Sequence, residues 1–235
     1  MKVRVIATSQ PTQEFISDLV DENTGLDIKD VNGLDIVSYC ARVSNPNNQS
    51  NFNTSGKLLR YCAEKEHWSI FEMINIVMEI ETTRDIGRQI LRHKSFSFQE
   101  FSQRYADPTK LGYEVREARL QDTNNRQNSI ETDDAILSHV WESNQKAVYD
   151  VANKAYKWAL DNGIAKEQAR VVLPEGMTMS RMYVQGSLRS FMTFIKVRAK
   201  KGTQKEHRII ALEIAKLIKE YYPDMTEIID ELIAN

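Results

Sequence analysis

Arg84-Asp85-Ile86-Gly87-Arg88-Gln89-Ile90-Leu91-Arg92-His93-Lys94-Ser95-Phe96-Ser97-Phe98-Gln99-Glu100-Phe101-Ser102-Gln103-Arg104 decides how this chain is read. Five permanent cations and a histidine crowd into it, against only Asp85 and Glu100. The whole chain carries a net charge of −2, so the local excess needs a cause. On a helix, Arg84, Arg88 and Arg92 stand four residues apart on one face. Like charges at that spacing destabilise a helix by about 0.2–0.5 kcal/mol per pair. An anion on that face would turn repulsion into attraction. Gln89 and His93 form the adjoining row. The segment Lys94 to Phe101 mixes aromatic rings with Ser95, Ser97, Gln99 and Glu100, a lining suited to a flat ligand. The plain alternative is a solvated charged face, with cations favoured near a helix C-terminus.

The order of residues carries more than their charge. Arg92-His93-Lys94, seven further residues and then Ser102 resemble the signature of the flavin-dependent thymidylate synthases, with Ser97, Glu100, Ser102, Arg104 and Tyr105 also in place. Lys94 stands where that family has arginine, and Gln99 where it often has asparagine. His67-Trp68-Ser69-Ile70-Phe71-Glu72 resembles its His-x-Thr-Pro-Phe-Glu segment. Ala41-Arg42-Val43-Ser44 is similar to its Ala-Arg-Val-Ser element, and Ala169-Arg170-Val171-Val172-Leu173-Pro174 to its Ala-Arg-x-x-Leu-Pro element. Leu188-Arg189-Ser190-Phe191 through Val197-Arg198-Ala199 resembles its late helix, followed by Gln204-x-Glu206. The resemblance runs in one order over about residues 35 to 222.

At 235 residues the chain fits a single domain, 1–235, with a substantial core. Its charge balance argues against bulk nucleic-acid binding. No apolar run reaches the roughly 20 residues of a membrane span, and the N-terminal apolar stretch is too short for a signal peptide. Cys40 and Cys62 have no metal-site spacing, so no metal is expected and both read as free thiols of a reducing, cytoplasmic setting. Asn48-Gln49-Ser50 and Asn53-Thr54-Ser55 match the glycosylation pattern by coincidence on that reading.

Periodicity predicts a helix-rich α+β domain with a small mixed or antiparallel sheet. Val3 to Ala7 reads as a strand, Pro11 to Val20 and Gly33 to Ser44 as helices, and the asparagine-rich residues 45–55 as an exposed loop. A helix is expected over Lys57 to Glu66. Ile74 to Glu81 alternates as a half-buried strand, with Ile76, Met78 and Ile80 on one side. Thr82 or Thr83 is placed to cap the signature helix. Residues 121–131 read as a polar loop. Asp133 to Leu160 reads as a helix about 40 Å long, with Ile136, Val140, Ala147, Val151, Ala155 and Trp158 recurring. A short helix over Lys166 to Leu173 ends at Pro174. Thr178 to Gly186 reads as a strand, and Ser187 to Val197, Thr203 to Tyr222 and Met225 to Ile233 as helices.

The family resemblance implies chemistry. It implies transfer of a methylene group from 5,10-methylenetetrahydrofolate to dUMP, with a hydride from reduced FAD and NADPH as the final reductant. C5 of uracil is a poor nucleophile until charge is pushed into the ring. Conventional thymidylate synthases use a cysteine for this, but Cys40 and Cys62 lie outside every matched motif. A guanidinium can instead stabilise negative charge on the ring, and by resemblance Arg198 takes that role. Gln89, Arg92, Glu100, Phe101, Ser102, Gln103, Arg104 and Arg170, with Arg198, fall where the family binds dUMP. Ser44, Ser69, Glu72, Arg92, His93, Lys94, Glu100, Ser187, Arg189 and Thr193 fall where it binds FAD. Ser187 and Thr193 stand where asparagine is common, and Ile70 and Met73 replace a proline and a histidine, so altered flavin affinity is expected. His139 and His207 have no motif support and read as ordinary. The resemblance also implies a homotetramer with active sites shared between subunits.

Two other readings compete. Phe96, Phe98 and Phe101 beside the arginine row could form a stacking groove for single-stranded nucleic acid. A flavin-binding paralogue that has lost synthesis is the other, with Lys94 as the lesion.

Overall fold

The computed structural model describes residues 1–21 and 31–234. Four strands form an antiparallel sheet in the order β1-β2-β6-β3: β1 is Lys2–Thr8, β2 Asn75–Thr83, β3 Ser97–Glu100 and β6 Met179–Ser187. The expected strands are present within a residue or two. β2 buries Ile76, Met78 and Ile80 as expected, with one departure. Its outer face carries Glu79, only 4% exposed beneath Arg4 and near Arg181.

Apolar residues of β2 and β6 (Ile76, Met78, Ile80, Met182, Val184) face the main core. Helices α7 (Leu188–Arg198), α8 (Lys205–Tyr221) and α9 (Thr226–Ala234) supply Phe191, Phe194, Ile210, Ile214, Ile229 and Leu232 to it. Helices α2 (Gly33–Ala41) and α3 (Ser55–Glu64) close the other side through Leu34, Val37, Leu59 and Cys62. Asn32 caps α2: its side chain accepts from Leu34 N at 2.8 Å, while Asp35 accepts from Asn32 N at 2.9 Å. Helix α1 (Gln13–Asp21) follows β1. The asparagine-rich segment is largely exposed and holds two 3-10 turns, Pro46–Asn48 and Phe52–Thr54. No described helix is long and apolar enough to cross a membrane.

Several expectations fail. Residues 121–131 are not simply a loop: β4 (Arg119–Gln121) pairs with β5 (Ser129–Glu131) as a hairpin. The signature helix α4 (Arg84–Ile90) ends before Arg92, so the three arginines do not share one helical face. Thr83 occupies its N-cap position, but its hydroxyl donates to Asp85 Oδ1 at 2.6 Å instead of accepting a helix N–H.

Helix α5 (Ala135–Asp161) forms where predicted but buries a different face. Gln145, Tyr149, Ala152, Tyr156 and Ala159 turn inward, whereas Ile136, Val140, Ala147, Val151, Ala155 and Trp158 are all exposed. Gln145 mimics a strand edge, accepting from Arg116 N and donating to Arg116 O, both at 2.8 Å. Tyr156 and Ala159 pack against Ala169 of α6 (Lys166–Ala169) and Leu173, a small cluster apart from the main core.

Strand geometry places the site. β2 and β6 pair along their whole length, Asn75 opposite Ser187 and Thr83 opposite Met179. Helix α4 leaves β2 at one end of that pair and α7 leaves β6 at the other. Nine strand residues span about 30 Å, and the two helices measure about 10 and 16 Å. Both pack against the sheet, and Arg198 at the end of α7 meets His93, just past the end of α4.

Candidate active site

Arg198 Nε donates to His93 Nε2 at 2.9 Å. A donor on that nitrogen requires a neutral imidazole protonated at Nδ1. Burial first, then the cations Arg198 and Arg92, hold the His93 pKa below the ordinary histidine value. Burial and then Arg92 likewise lower Arg198. Arg92 and Arg198 make no ion pair among the described residues. Phe194 stands edge-on to the His93 ring, with centroids 4.8 Å apart.

Arg84 and Arg88 are already neutralised. Arg84, 6% exposed, pairs with Glu175 at 3.0 Å and Glu100 at 3.6 Å. Arg88 lies 3.7 Å from Glu100. Glu100 also accepts from Ser180 at 2.9 Å. Counter-charges from the chain itself thus replace the anion expected over Arg84 and Arg88.

The remaining expected residues fall into separate groups. Glu72 accepts from Ser187 at 2.6 Å and from Arg189 at 3.1 Å. Ser69 lies exposed on the same short 3-10 turn, Trp68–Glu72. Ser190 ties this group to the signature through Ser95 O at 3.1 Å. Arg189 and Thr193 line a cavity of about 200 Å³ with Trp68, Met192, Lys196 and Leu232. Elsewhere Arg104 pairs with the Glu167 carboxylate at 3.2 Å, and Arg170 donates to the Glu167 carbonyl at 3.2 Å. Ser102 accepts from Arg104 N at 3.4 Å, Phe101 N donates to Arg181 O at 2.8 Å, and Gln103 is buried. Lys94 is exposed. Ser44 is exposed in the turn after α2 and joins none of these groups.

The phenylalanine row is no stacking groove. Phe96 is buried against Phe191, with ring centroids 4.7 Å apart. Gly186 makes room for it: a Cβ there would lie 2.8 Å from Phe96 Cε1.

The sequence reading missed His207. It is fully buried, and its Nδ1 lies 3.2 Å from Gln89 Oε1. Gln89 donates to Gln204 at 2.7 Å, and Gln204 to Glu206 at 3.0 Å. Glu206 is held by Arg116, at 2.9 Å, and by Arg119. Burial pushes the Glu206 carboxyl up, but a backbone N–H, Arg116, Gln204 and Arg119 outweigh it and keep it below the usual range. A signal was available: Gln204 and His207 are three apart, one face at the start of α8.

Residues 28–224 match the family model described as thymidylate synthase complementing protein. A flavin-dependent thymidylate synthase from Synechocystis sp. is 49% identical over 188 residues, covering 80% of this chain and 85% of the relative. The chain belongs to the flavin-dependent thymidylate synthases. A further member, from Kosmotoga olearia, is 33% identical over 183 residues, covering 78% of this chain and 79% of its own. The fold of this chain also resembles that of a UMP/dUMP methylase, PolB of Streptomyces cacaoi, solved with 5-Br UMP. The TM-score is 0.75 at 21% identity, over 98% of this chain and 94% of that one. As a family member the protein is an enzyme of thymidylate synthesis.

Proposed function

We propose that the protein methylates dUMP to dTMP, using 5,10-methylenetetrahydrofolate as carbon donor, FAD as bound cofactor and NADPH as reductant. The observation that carries this reading is the pair Arg92 and Arg198, two neighbouring cations with a neutral histidine and no carboxylate between them. Such a pair attracts an anionic ligand and leaves a guanidinium free to act on it. Arg198 polarises the pyrimidine by stabilising negative charge at its oxygens and ring nitrogen. His93 orients Arg198. Gln89 borders the same cluster, and Arg104 and Arg170 suit the phosphate. Neither thiol competes, since burial raises the pKa of both Cys40 and Cys62 and so disfavours the thiolate.

The residues present fit a flavin. Exposed Ser69, Arg189 and Thr193 flank the cavity beside Trp68 and Lys196, and Arg92 and Lys94 lie free to pair with its phosphates. Glu72 and Ser187 would brace that wall, and His93 and Glu100 the edge toward the nucleotide. Bound there, reduced flavin supplies the hydride that turns the transferred methylene into a methyl group.

Residues 1–235 act as one domain on this reading, in a homotetramer of the cytoplasm. Among the described residues, Arg104 with Arg170, Ser44, and the Glu72 group share no hydrogen bond or ion pair with one another, and α5 leaves an apolar face open. Several copies would complete each site. Purified protein given dUMP, methylenetetrahydrofolate, FAD and NADPH should form dTMP, and Arg198→Ala should stop this with flavin still bound. No dTMP from the unaltered protein would refute the reading.

A further inference from the structure

A chain of hydrogen bonds runs from α8 back to the signature helix, and one end sets every direction along it. Glu206 is 5% exposed and ionised beside Arg116 and Arg119, so it can only accept. It takes the amide nitrogen of Gln204 at 3.0 Å. Gln204 Oε1 therefore faces Gln89 and accepts its Nε2 at 2.7 Å. Gln89 Oε1 in turn faces the fully buried His207, so His207 Nδ1 must carry the proton. His207 Nε2 is left bare, with no partner among the described residues. Turning either amide round would set oxygen against oxygen at one contact or nitrogen against nitrogen at the next.

The consequence falls on Gln89, which is only partly buried. One of its amide N–H bonds is committed to Gln204. The second remains for a ligand in the cation cluster. We propose that His207 is a positioning residue: by donating to Gln89 it fixes that amide so that the nucleotide meets an N–H donor rather than a carbonyl. This rests on the reading that Gln89 borders the dUMP site. The enforced donor favours a nucleotide presenting an oxygen acceptor. With the His207 donor removed, Gln89 is tethered at one end only and its amide can turn.

Steady-state kinetics with varied dUMP test this on the full-length enzyme. His207→Leu should raise KM for dUMP about tenfold, the worth of one well-directed hydrogen bond, with a smaller change in kcat. His207→Asn places an amide nitrogen near the position of Nδ1 and should bring KM back to within about threefold of the unaltered enzyme on the same scale. Gln204→Leu breaks the chain at an exposed position, and should raise KM in the same direction. It decides the matter if His207→Leu does not fold. Unchanged KM in Gln204→Leu and in folded His207→Leu would overturn the positioning role while leaving the synthase reading intact. Asparagine no better than leucine at equal thermal stability would overturn it too. Failure of the unaltered enzyme to turn over dUMP would instead remove the reading beneath it.

Discussion

Acidification should expose the burial of His207. Burial, then Arg198 and His93, drive its pKa from the ordinary 6.5 to about 3. As pH falls below 6.5 the unfolded chain binds a proton there and the folded chain does not. Stability is therefore fully present above pH 6.5 and drains away as pH falls toward 3. Between pH 7 and 5 the loss from this one group is about 2 kcal/mol, because the unfolded imidazole becomes almost fully protonated while the folded one stays neutral. The side chain has no exposed surface, so solvent screening leaves little to discount. Carboxylates and His93 also titrate, and a comparison removes them. Urea unfolding of the unaltered protein and of His207→Asn, at both pH values, equal salt and equal protein concentration, isolates the difference. The unaltered protein should lose about 2 kcal/mol more than the variant. Equal losses would mean that His207 takes up its proton without unfolding, and that the buried neutral imidazole is wrong.

Three further outcomes follow from the geometry. Arg198→Lys keeps a charge but loses the planar fork and the Nε contact with His93, so dTMP formation should fall about a hundredfold while flavin absorbance persists. Gly186→Ala drives a methyl group into the Phe96 ring, and urea unfolding should show a loss of about 1–3 kcal/mol. Val151→Glu places a charge on the exposed apolar face of α5; sedimentation should show smaller particles, with activity falling alongside if sites are shared.

Much of the fold was legible because short-range physics dictates it. Ile76, Met78 and Ile80 alternate because β2 presents one face to the helices, and the helical spacing from Gly33 onward finds α2. The failures come from choices that sequence pattern leaves open. Helix α5 has two apolar faces, and periodicity cannot say which one meets its own chain. The inner face proved to be the less hydrophobic, because Gln145 satisfies the backbone of Arg116 and Tyr149 stacks on Tyr113 with ring centroids 3.8 Å apart. The arginine row had the right residues but the wrong helix length, since α4 stops at Ile90. The spacing of Gln204 and His207 marked one helical face, but nothing local tied that face to the site. The partner of His207, Gln89, lies 118 residues away, and only the meeting of α4, α7 and α8 makes them neighbours.

The charge pattern explains how a nearly neutral chain can hold a strongly positive site. Within the signature Arg84, Arg88 and Arg104 each have a carboxylate, and outside it so do Arg116, Arg119 and Arg181, so most of this positive charge is cancelled locally. Arg198 is the exception that matters. A carboxylate 4 Å away would attract it by about 4 kcal/mol at the effective dielectric of a protein surface, and would cancel the same field at any substrate. His93 supplies direction without charge: its lone pair holds Nε and leaves the guanidinium uncompensated. This arrangement has a built-in acid limit. Protonated His93 has no lone pair for Arg198 and adds a like charge beside it. Because burial, Arg198 and Arg92 hold its pKa below 6.5, the contact is intact at neutral pH and fails only on acidification. At saturating dUMP, kcat should therefore stay flat near neutrality and fall on the acid side below 6.5. A limb centred above that value would show that a different group, and not the histidine holding Arg198, controls the rate.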